Sequence, residues 1–334
     1  MTCWICFFAL NLEDLILGFD EALPIGYKRM GENLVINPPK GSETANVYLY
    51  PNKDCLIYLA DDEKPLHFVE PSDMPLLDES FDLKNRMTPE RKSVLVFGIG
   101  FKAEIVINQL LGFLAAGSEI TCSDTIEQKI KAGYLKNNVV KDVKVHFRDM
   151  KIIDTALSRL IEGRGGDFDL IIFAEEVLEP YNFDARSLMC LAGINSAFNK
   201  CDKKPRIVME LFDSNNVELA QAANADDVII GSELLSNYLV QIVREPERHS
   251  VFAELLAPKG SEIYIKPITL YKTDENAISF KELMAAARNR NEIAIGYAYE
   301  EGLQFKYAVN PPVNQRNEKN NHIQLAIVLA EGAY

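Results

Sequence analysis

Two stretches at opposite ends of this chain carry the same signals in the same order. Residues 12–39 read LEDLILGFDEALPIGYKRMGENLVINPP, and residues 280–312 read FKELMAAARNRNEIAIGYAYEEGLQFKYAVNPP. Each opens with apolar residues at helical spacing, i, i+3 and i+4. Each continues through Ile-Gly-Tyr (25–27 and 295–297), a strand, and Asn-Pro-Pro (37–39 and 310–312). Each ends in an apolar strand closed by Leu-Ala and an acid, Leu59-Ala60-Asp61 and Leu329-Ala330-Glu331. An ordered set of matches at such a distance indicates a duplicated module. Each copy predicts a small α+β unit of helix, strand, turn and strand. Proline fixes its own φ and restricts the residue before it, so both Asn-Pro-Pro segments suit the turn. The copies begin and end the chain, which leaves the middle as a separate domain.

The joint between the first copy and the middle is visible in composition. Residues 61–92 run DDEKPLHFVEPSDMPLLDESFDLKNRMTPERK, rich in proline and charge and without sustained period, and read as a linker. Its acids Asp73, Asp78, Glu79 and Asp82 lack the ligand spacing and central glycine of an EF-hand loop.

The middle reads as a Rossmann unit. Ser93–Phe97 is a continuous apolar run of the kind a parallel strand buries on both faces. Gly98-Ile99-Gly100-Phe101-Lys102-Ala103 follows at once, then a helix over 103–114, a stop at Gly117, and a second strand over 119–122 that runs into Ser123-Asp124. In this pattern the first glycine permits the tight strand-to-helix turn. The second lets backbone approach a phosphate, and the small third residue lets helix and strand pack closely. Backbone N–H groups at the helix start then face an anion. Asp124 sits where a carboxylate accepts hydrogen bonds from a ribose diol. Gly98, Ile99, Gly100, Phe101 and Lys102 are the candidate phosphate contacts. Lys102 either adds charge to that contact or is a solvated first-turn lysine.

Further units follow: strands at 144–147, 169–174, 206–211 and 227–230, and helices at 154–161, 187–198 and 216–223. Alternation of this kind makes a doubly wound parallel sheet, whose ligands bind at the carboxyl ends of the strands. That edge collects Asp124, Asp149, Ala174-Glu175 and Glu210. For the acids after Asp124, ordinary strand-end capping competes with ligand contact. Residues 232–257 read as a helix broken near Pro246 and then a second helix. Leu234, Leu235, Tyr238, Leu239 and Ile242 on the first, and Val251, Phe252, Leu255 and Leu256 on the second, form packing faces suited to a crossover helix or a dimer contact.

Composition excludes several classes. With 48% hydrophobic and 25% charged residues the chain is globular in kind. A net charge of −14 repels phosphate backbones, so nucleic acid is not an expected partner. No run of about 18 apolar residues occurs, as a membrane-spanning helix needs, and Cys3–Leu10 is too short and lacks the basic flank of a signal peptide. That segment reads as an apolar strand. Its Cys3-Trp4-Ile5-Cys6 has redox spacing without the preceding strand that a redox motif requires. The six cysteines are scattered and read as reduced thiols, and the four histidines are too far apart for a zinc motif.

These residues resemble the RCK architecture, the regulator of potassium conductance. The resemblance is carried by GIGFKA (98–103) with Asp124, by VMELFDSNNVELAQAANADDVIIGSELLSNYL (208–239), by GSEIYIKP (260–267), and by the later NPP and IVLAEG (327–332). It looks most like the tandem RCK region of Castor- and Pollux-type ion channels and their prokaryotic relatives, with Trk- and Ktr-like RCK domains more distant. The fold it implies is α/β: a Rossmann-like doubly wound parallel sheet, the RCK N-lobe, flanked by two small α+β C-lobes. The implied layout is a first-unit C-lobe at 1–66, a linker at 67–92, an N-lobe at 93–240, connecting helices at 241–256 and a second C-lobe at 257–334. Such units pair into dimers that build a ring beneath a membrane pore. Ligands bias the ring between two shapes by binding them unequally. NAD(H) or another adenine nucleotide and Ca²⁺ are the implied ligands, and the inner face of the membrane, on the cytoplasmic side, the implied location. The family's calcium ligands vary, so none is transferred to a residue here. A complete channel carries a pore and a first N-lobe upstream, and the expectation is therefore a piece of a longer chain or a soluble subunit acting in trans.

Three functions compete on this reading: a ligand-sensing regulatory module of a cation channel or transporter, with potassium the favoured ion and no catalysis; a soluble NAD-dependent oxidoreductase; and an assembly module with a vestigial nucleotide site. A dehydrogenase needs a general acid or base beside the nicotinamide. His146 lies inside a strand, the other histidines fall outside the Rossmann unit, and Tyr181 is followed by Ala185 rather than a lysine. The sensor is the favoured expectation. Asp124→Ala is predicted to weaken binding of ribose-containing ligands while leaving the fold intact; unchanged affinity in calorimetry would refute the ribose assignment.

Overall fold

The computed structural model describes residues 15, 18–19, 22–42, 47–50, 53–60, 90–97, 101–123, 142–148, 167–173, 183–198, 203–257, 260–272, 277–302, 304–320 and 322–332. The chain divides into two compact units, one formed by Met1–Thr88 together with Glu245–Tyr334, the other by Pro89–Arg244. The expected strand at Cys3–Leu10, the linker up to residue 89 and the helix at 154–161 lie outside the described residues.

The first copy of the repeat gives β1 (Ala22–Lys28), β2 (Leu34–Ile36) and β3 (Cys55–Ala60), joined antiparallel in the order β2-β1-β3.

The middle unit gives six strands: β4 (Ser93–Phe97), β5 (Glu119–Ser123), β6 (Lys144–Arg148), β7 (Leu170–Phe173), β8 (Arg206–Leu211) and β9 (Asp227–Ile230). Its helices among the described residues are α1 (Phe101–Phe113), α2 (Phe183–Phe198), α3 (Val217–Ala222) and α4 (Gly231–Arg244). All strand pairs are parallel and the order is β6-β5-β4-β7-β8-β9. Counted within the unit this is 3-2-1-4-5-6, the Rossmann order. The alternation of side chains along β4 explains its unbroken apolar run. Leu95 and Phe97 pack on one face with Ile171, Phe173 and α2 residues Leu191 and Ile194. Val94 and Val96 pack on the other with Ile120, Cys122 and α1 residues Ile107 and Leu111. Helix α2 begins at Phe183, four residues before the expected start, which brings Asp184 into its first turn.

Ahead of the second copy stand α5 (Arg248–Leu255) and β10 (Glu262–Pro267), and the copy itself gives α6 (Phe280–Asn289), β11 (Ile293–Glu301), β12 (Gln304–Val309), the single turn α7 (Val313–Arg316) and β13 (Ile323–Ala330). Helix α6 is closed at its start by a capping box, Ser279 with Glu282. Phe280, Leu283, Met284 and Ala287 are buried along it. The antiparallel sheet runs β10-β13-β11-β12, so β12-β11-β13 repeats the order of β2-β1-β3.

The repeat reaches the level of single atoms. In β1 the pairing with β3 slips between Pro24 and Gly26, and in β11 the pairing with β13 slips between Ala294 and Gly296. Each slip leaves an isoleucine as the bulged residue. The carbonyls of Ile25 and Ile295 accept from the backbone N–H of Asn37 and Asn310, both at 2.8 Å. Those asparagines open the two Asn-Pro-Pro turns and take left-handed backbone, φ 49° and 48°. The glycine after each bulge is required by a close approach. A Cβ on Gly26 would lie 2.1 Å from the Val35 carbonyl oxygen, and one on Gly296 would lie 2.3 Å from that of Ala308.

The two copies share one core, in which Leu15, Phe19, Leu23, Ile25 and Tyr27 join Phe280, Leu283, Ile293, Ile295 and Tyr297. Two buried arginines stitch them together. Arg288, 2% exposed, donates to the Pro38 carbonyl at 3.1 Å and to Asn37 Oδ1 at 3.4 Å. Arg316, 4% exposed, donates to the carbonyls of Pro311 and Phe19 and to Asn310 Oδ1, each at 2.8 Å. The GSEIYIKP segment supplies a third buried cation. Lys266 Nζ lies 3.0 Å from Glu292 Oε1 and 3.0 Å from the Gly332 carbonyl, while Tyr271 donates its hydroxyl proton to Glu292 Oε2. Burial, then the neighbouring Glu292 charge, pushes the Tyr271 hydroxyl well above its usual range, so it remains a donor.

Gly26→Ala and Gly296→Ala are each expected to lower stability by about 2–3 kcal/mol through backbone overpacking. Gly193→Ala, a helical position with open space around it, is expected to be neutral or slightly stabilising. Urea unfolding of the three variants checks this; equal stability across them would refute the close-approach account.

Candidate functional site

The parallel sheet dictates where a site forms, because all six strands end at one edge and the chain turns there. Strand β4 ends at Phe97 and α1 begins at Phe101, so the strand-to-helix connection is three residues long. Phe97 pairs with Ser123, the last residue of β5, in parallel register. Residue 124 therefore follows directly on the strand that neighbours the turn, where a ribose-binding acid belongs. Strands β6 and β7 end at Arg148 and Phe173. Each sequence-chosen position, 124, 149 and 174, comes one residue after a strand end. Gly98, Ile99, Gly100, Asp124, Asp149, Ala174 and Glu175 themselves lie outside the described residues.

Within the described residues the edge brings two candidates together. Lys102, in the first turn of α1, places Nζ 2.8 Å from Oε1 and 2.7 Å from Oε2 of Glu210 on β8. The lysine is held by an acid at the same edge while part of its side chain meets solvent. Both side chains are partly shielded, 38% and 25% exposed, so the pair is less screened than an ordinary surface pair. The Glu210 carboxylate also rests on the start of α4, since a Cβ on Gly231 would come within 2.4 Å of Oε1.

Behind Glu210 stands a residue that sequence reasoning missed. Asp184, 8% exposed, accepts from the backbone N–H groups of Phe212 and Asp213 at 2.8 and 3.0 Å and from Asn216 Nδ2 at 2.6 Å. Asp213 in turn caps the next turn, accepting from the Asn215 N–H at 2.9 Å. Ser232 Oγ donates to the Phe212 carbonyl at 3.1 Å. The connection after β8 is thereby fixed from both sides. The available signal was the acid at the start of a helix in Phe183-Asp184-Ala185, hidden because the helix was expected to start at Ser187.

Other reactive groups are quiet. Burial pushes the Cys122 thiol, on β5, up to about 12, so it stays protonated and unreactive at neutral pH. His146 lies in β6 with Nε2 3.9 Å from Glu119. Among the described residues no cluster of three or more His, Cys, Asp or Glu is arranged to hold a metal ion. Among the described residues no helix is long and apolar enough to cross a membrane. The chemistry legible at this edge is binding: one ammonium, one carboxylate, and a helix start opposite three strand ends.

No family model matches the chain. Among curated proteins, the chain is 25% identical over 364 aligned positions to the probable ion channel SYM8 of Pisum sativum, covering 97% of this chain and 39% of the relative. It is 25% identical over 364 positions to the ion channel POLLUX of Lotus japonicus, covering 97% of this chain and 38% of the relative. The chain thus spans about two fifths of the length of the curated relatives it matches. Among solved structures, the human SLO3 gating ring superposes with a TM-score of 0.61 at 12% identity, covering 96% of this chain and 66% of that one. The likeness to Castor- and Pollux-type channels extends over nearly the whole chain, and the fold is similar to that of the human SLO3 gating ring.

Asp184→Ala removes the acceptor of two part-buried backbone N–H groups and is expected to cost about 1–3 kcal/mol. The check is thermal unfolding with hydrogen exchange at 212–216; unaltered protection there would refute the clamp.

Proposed function

We propose that this chain is a ligand-sensing regulatory module of a cation channel, without catalysis of its own. The observation that carries the reading is the match over 97% of the chain to proteins named as ion channels. The gating-ring likeness at TM-score 0.61 agrees with it in fold. Potassium is the ion favoured by the RCK resemblance. On this reading the carboxyl edge of the parallel sheet receives the ligand. NAD(H) or another adenine nucleotide is the first class to test there and Ca²⁺ the second. Residues 98–102 take the phosphates, Asp124 the ribose, and Asp149, Ala174 and Glu175 complete the rim.

A sensor of this kind must pass its state to a neighbour. Helix α4 carries an exposed apolar stripe at i, i+4 and i+8, with Leu235 at 58%, Leu239 at 54% and Val243 at 83%. A stripe of that kind suits pairing of two copies, and pairs would build a ring beneath a membrane pore at its cytoplasmic face. Ligand then acts by binding one ring shape more tightly than another.

The test is a thermal-shift panel on the purified chain with NAD⁺, NADH, NADP⁺, ATP, ADP, AMP and Ca²⁺, with Asp124→Ala as control and with sedimentation to read assembly. A ligand at 100 times its Kd adds about 2.7 kcal/mol, a shift of a few degrees. A nucleotide shift lost in Asp124→Ala, without turnover of NADH, is the expected result. A shift with Ca²⁺ alone would move the sensing site away from the glycine turn. Turnover of NADH with a small substrate would overturn the sensor in favour of the oxidoreductase.

A further inference from the structure

The pair formed by Lys102 and Glu210 has a consequence for any anion that binds at the carboxyl edge. Lys102 stands in the first turn of α1, two residues after the glycine connection, where an ammonium would meet a phosphate, yet both Glu210 oxygens already hold it at 2.7 and 2.8 Å. A carboxylate in that position satisfies the lysine as a phosphate would. A phosphate arriving at Lys102 meets the like charge of Glu210 within contact distance. The two anions repel each other across one ammonium, so binding of the phosphate favours departure of the carboxylate. Glu210 lies against Gly231, the first residue of α4, its Oε1 2.4 Å from where a Cβ would stand. Its departure therefore alters the contact at the start of the helix that carries the exposed apolar stripe.

We infer that Glu210 is the residue that sets phosphate affinity at this edge: it holds Lys102 as an internal substitute for a ligand anion, and a bound phosphate displaces it from both Lys102 and the start of α4. The inference rests on the nucleotide reading of the site and adds its specificity-determining residue. A nucleotide is then sensed through exchange of one anion for another at Lys102. Ligands without phosphate at that point leave the pair closed and α4 unchanged.

Calorimetric titration of ADP and of inorganic pyrophosphate into the chain, Glu210→Gln, Lys102→Gln and the double variant tests this. Glu210→Gln keeps the size of the side chain and removes the charge. It is expected to tighten both ligands about tenfold, while Lys102→Gln weakens both about tenfold. The double variant should bind no better than Lys102→Gln, because removing Glu210 helps only through Lys102. Binding by Glu210→Gln where the parent shows none also supports the inference. Hydrogen exchange at 231–234 gives the second reading: ADP should raise it in the parent and not in Glu210→Gln. If Lys102→Gln weakens binding but Glu210→Gln does not tighten it, the nucleotide reading stands and the role of Glu210 is refuted. Tighter binding with unchanged exchange at 231–234 refutes the displacement from α4. If none of the four proteins binds either ligand while all unfold cooperatively, the nucleotide reading and this inference fall together.

Discussion

Burying a guanidinium requires acceptors on every side of it, and this chain buries two by taking acceptors from both copies of its repeat. Arg288 belongs to the second copy and is satisfied by Asn37 and Pro38 of the first. Arg316 also belongs to the second copy and reaches the Phe19 carbonyl of the first. A charged donor left unpaired in such a place costs more than the bond is worth when made. Neither copy can be solvated without exposing the other's debt of hydrogen bonds. The shared apolar core and the matching sheets follow from this requirement, because the Asn-Pro-Pro turns must be held where the arginines can reach them. The left-handed asparagines, the bulged isoleucines and the crowded glycines all serve to place those turns.

The middle unit is held by different means. Its sheet is covered on both faces by apolar side chains, and its polar pairs lie at the two edges, Asp169 with Ser93 and Lys203 where the strands begin and a second group where they end. There Asp184 fixes the connection after β8, Asp213 caps the next turn, and Glu210 joins the start of α1 to the start of α4. Electrostatics at this edge is built from short, mostly local pairs rather than from net charge. The acidity of the chain as a whole says little about whether an anion is welcome here. What matters is which single acid holds which single base.

Much of this was legible in the sequence, for reasons that differ between elements. The runs at 93–97, 206–211 and 227–230 became strands with the expected bounds, because each is a short, mostly apolar run with a sharp polar boundary. Ile-Gly-Tyr and Asn-Pro-Pro announced a duplication, since glycine crowding and left-handed asparagine leave few substitutes. The Lys102–Glu210 pair was not legible: the two residues are 108 positions apart and only the strand order sets them side by side. Asp184 was missed because a helix start four residues early changes which acid lies in the first turn. Periodicity locates the middle of a helix far better than its end. The shared core of the two copies was also hidden, since a repeat in sequence does not say whether its copies meet.

The unit that holds both ends of the chain imposes an order of assembly. The bond from Arg316 to Phe19 spans 297 positions. A ribosome adding about 5–20 residues per second needs roughly 15–60 seconds between making the acceptor and making the donor. During that interval β1, β2 and β3 exist without the partner that completes their core, while every residue of the parallel sheet has already emerged or is emerging. The sheet can close on its own contacts as synthesis proceeds, and the split unit must wait for the last strand. Waiting strands with open apolar faces are the natural clients of chaperones, so the duplication that fixes the finished structure also sets the longest exposure on the way to it.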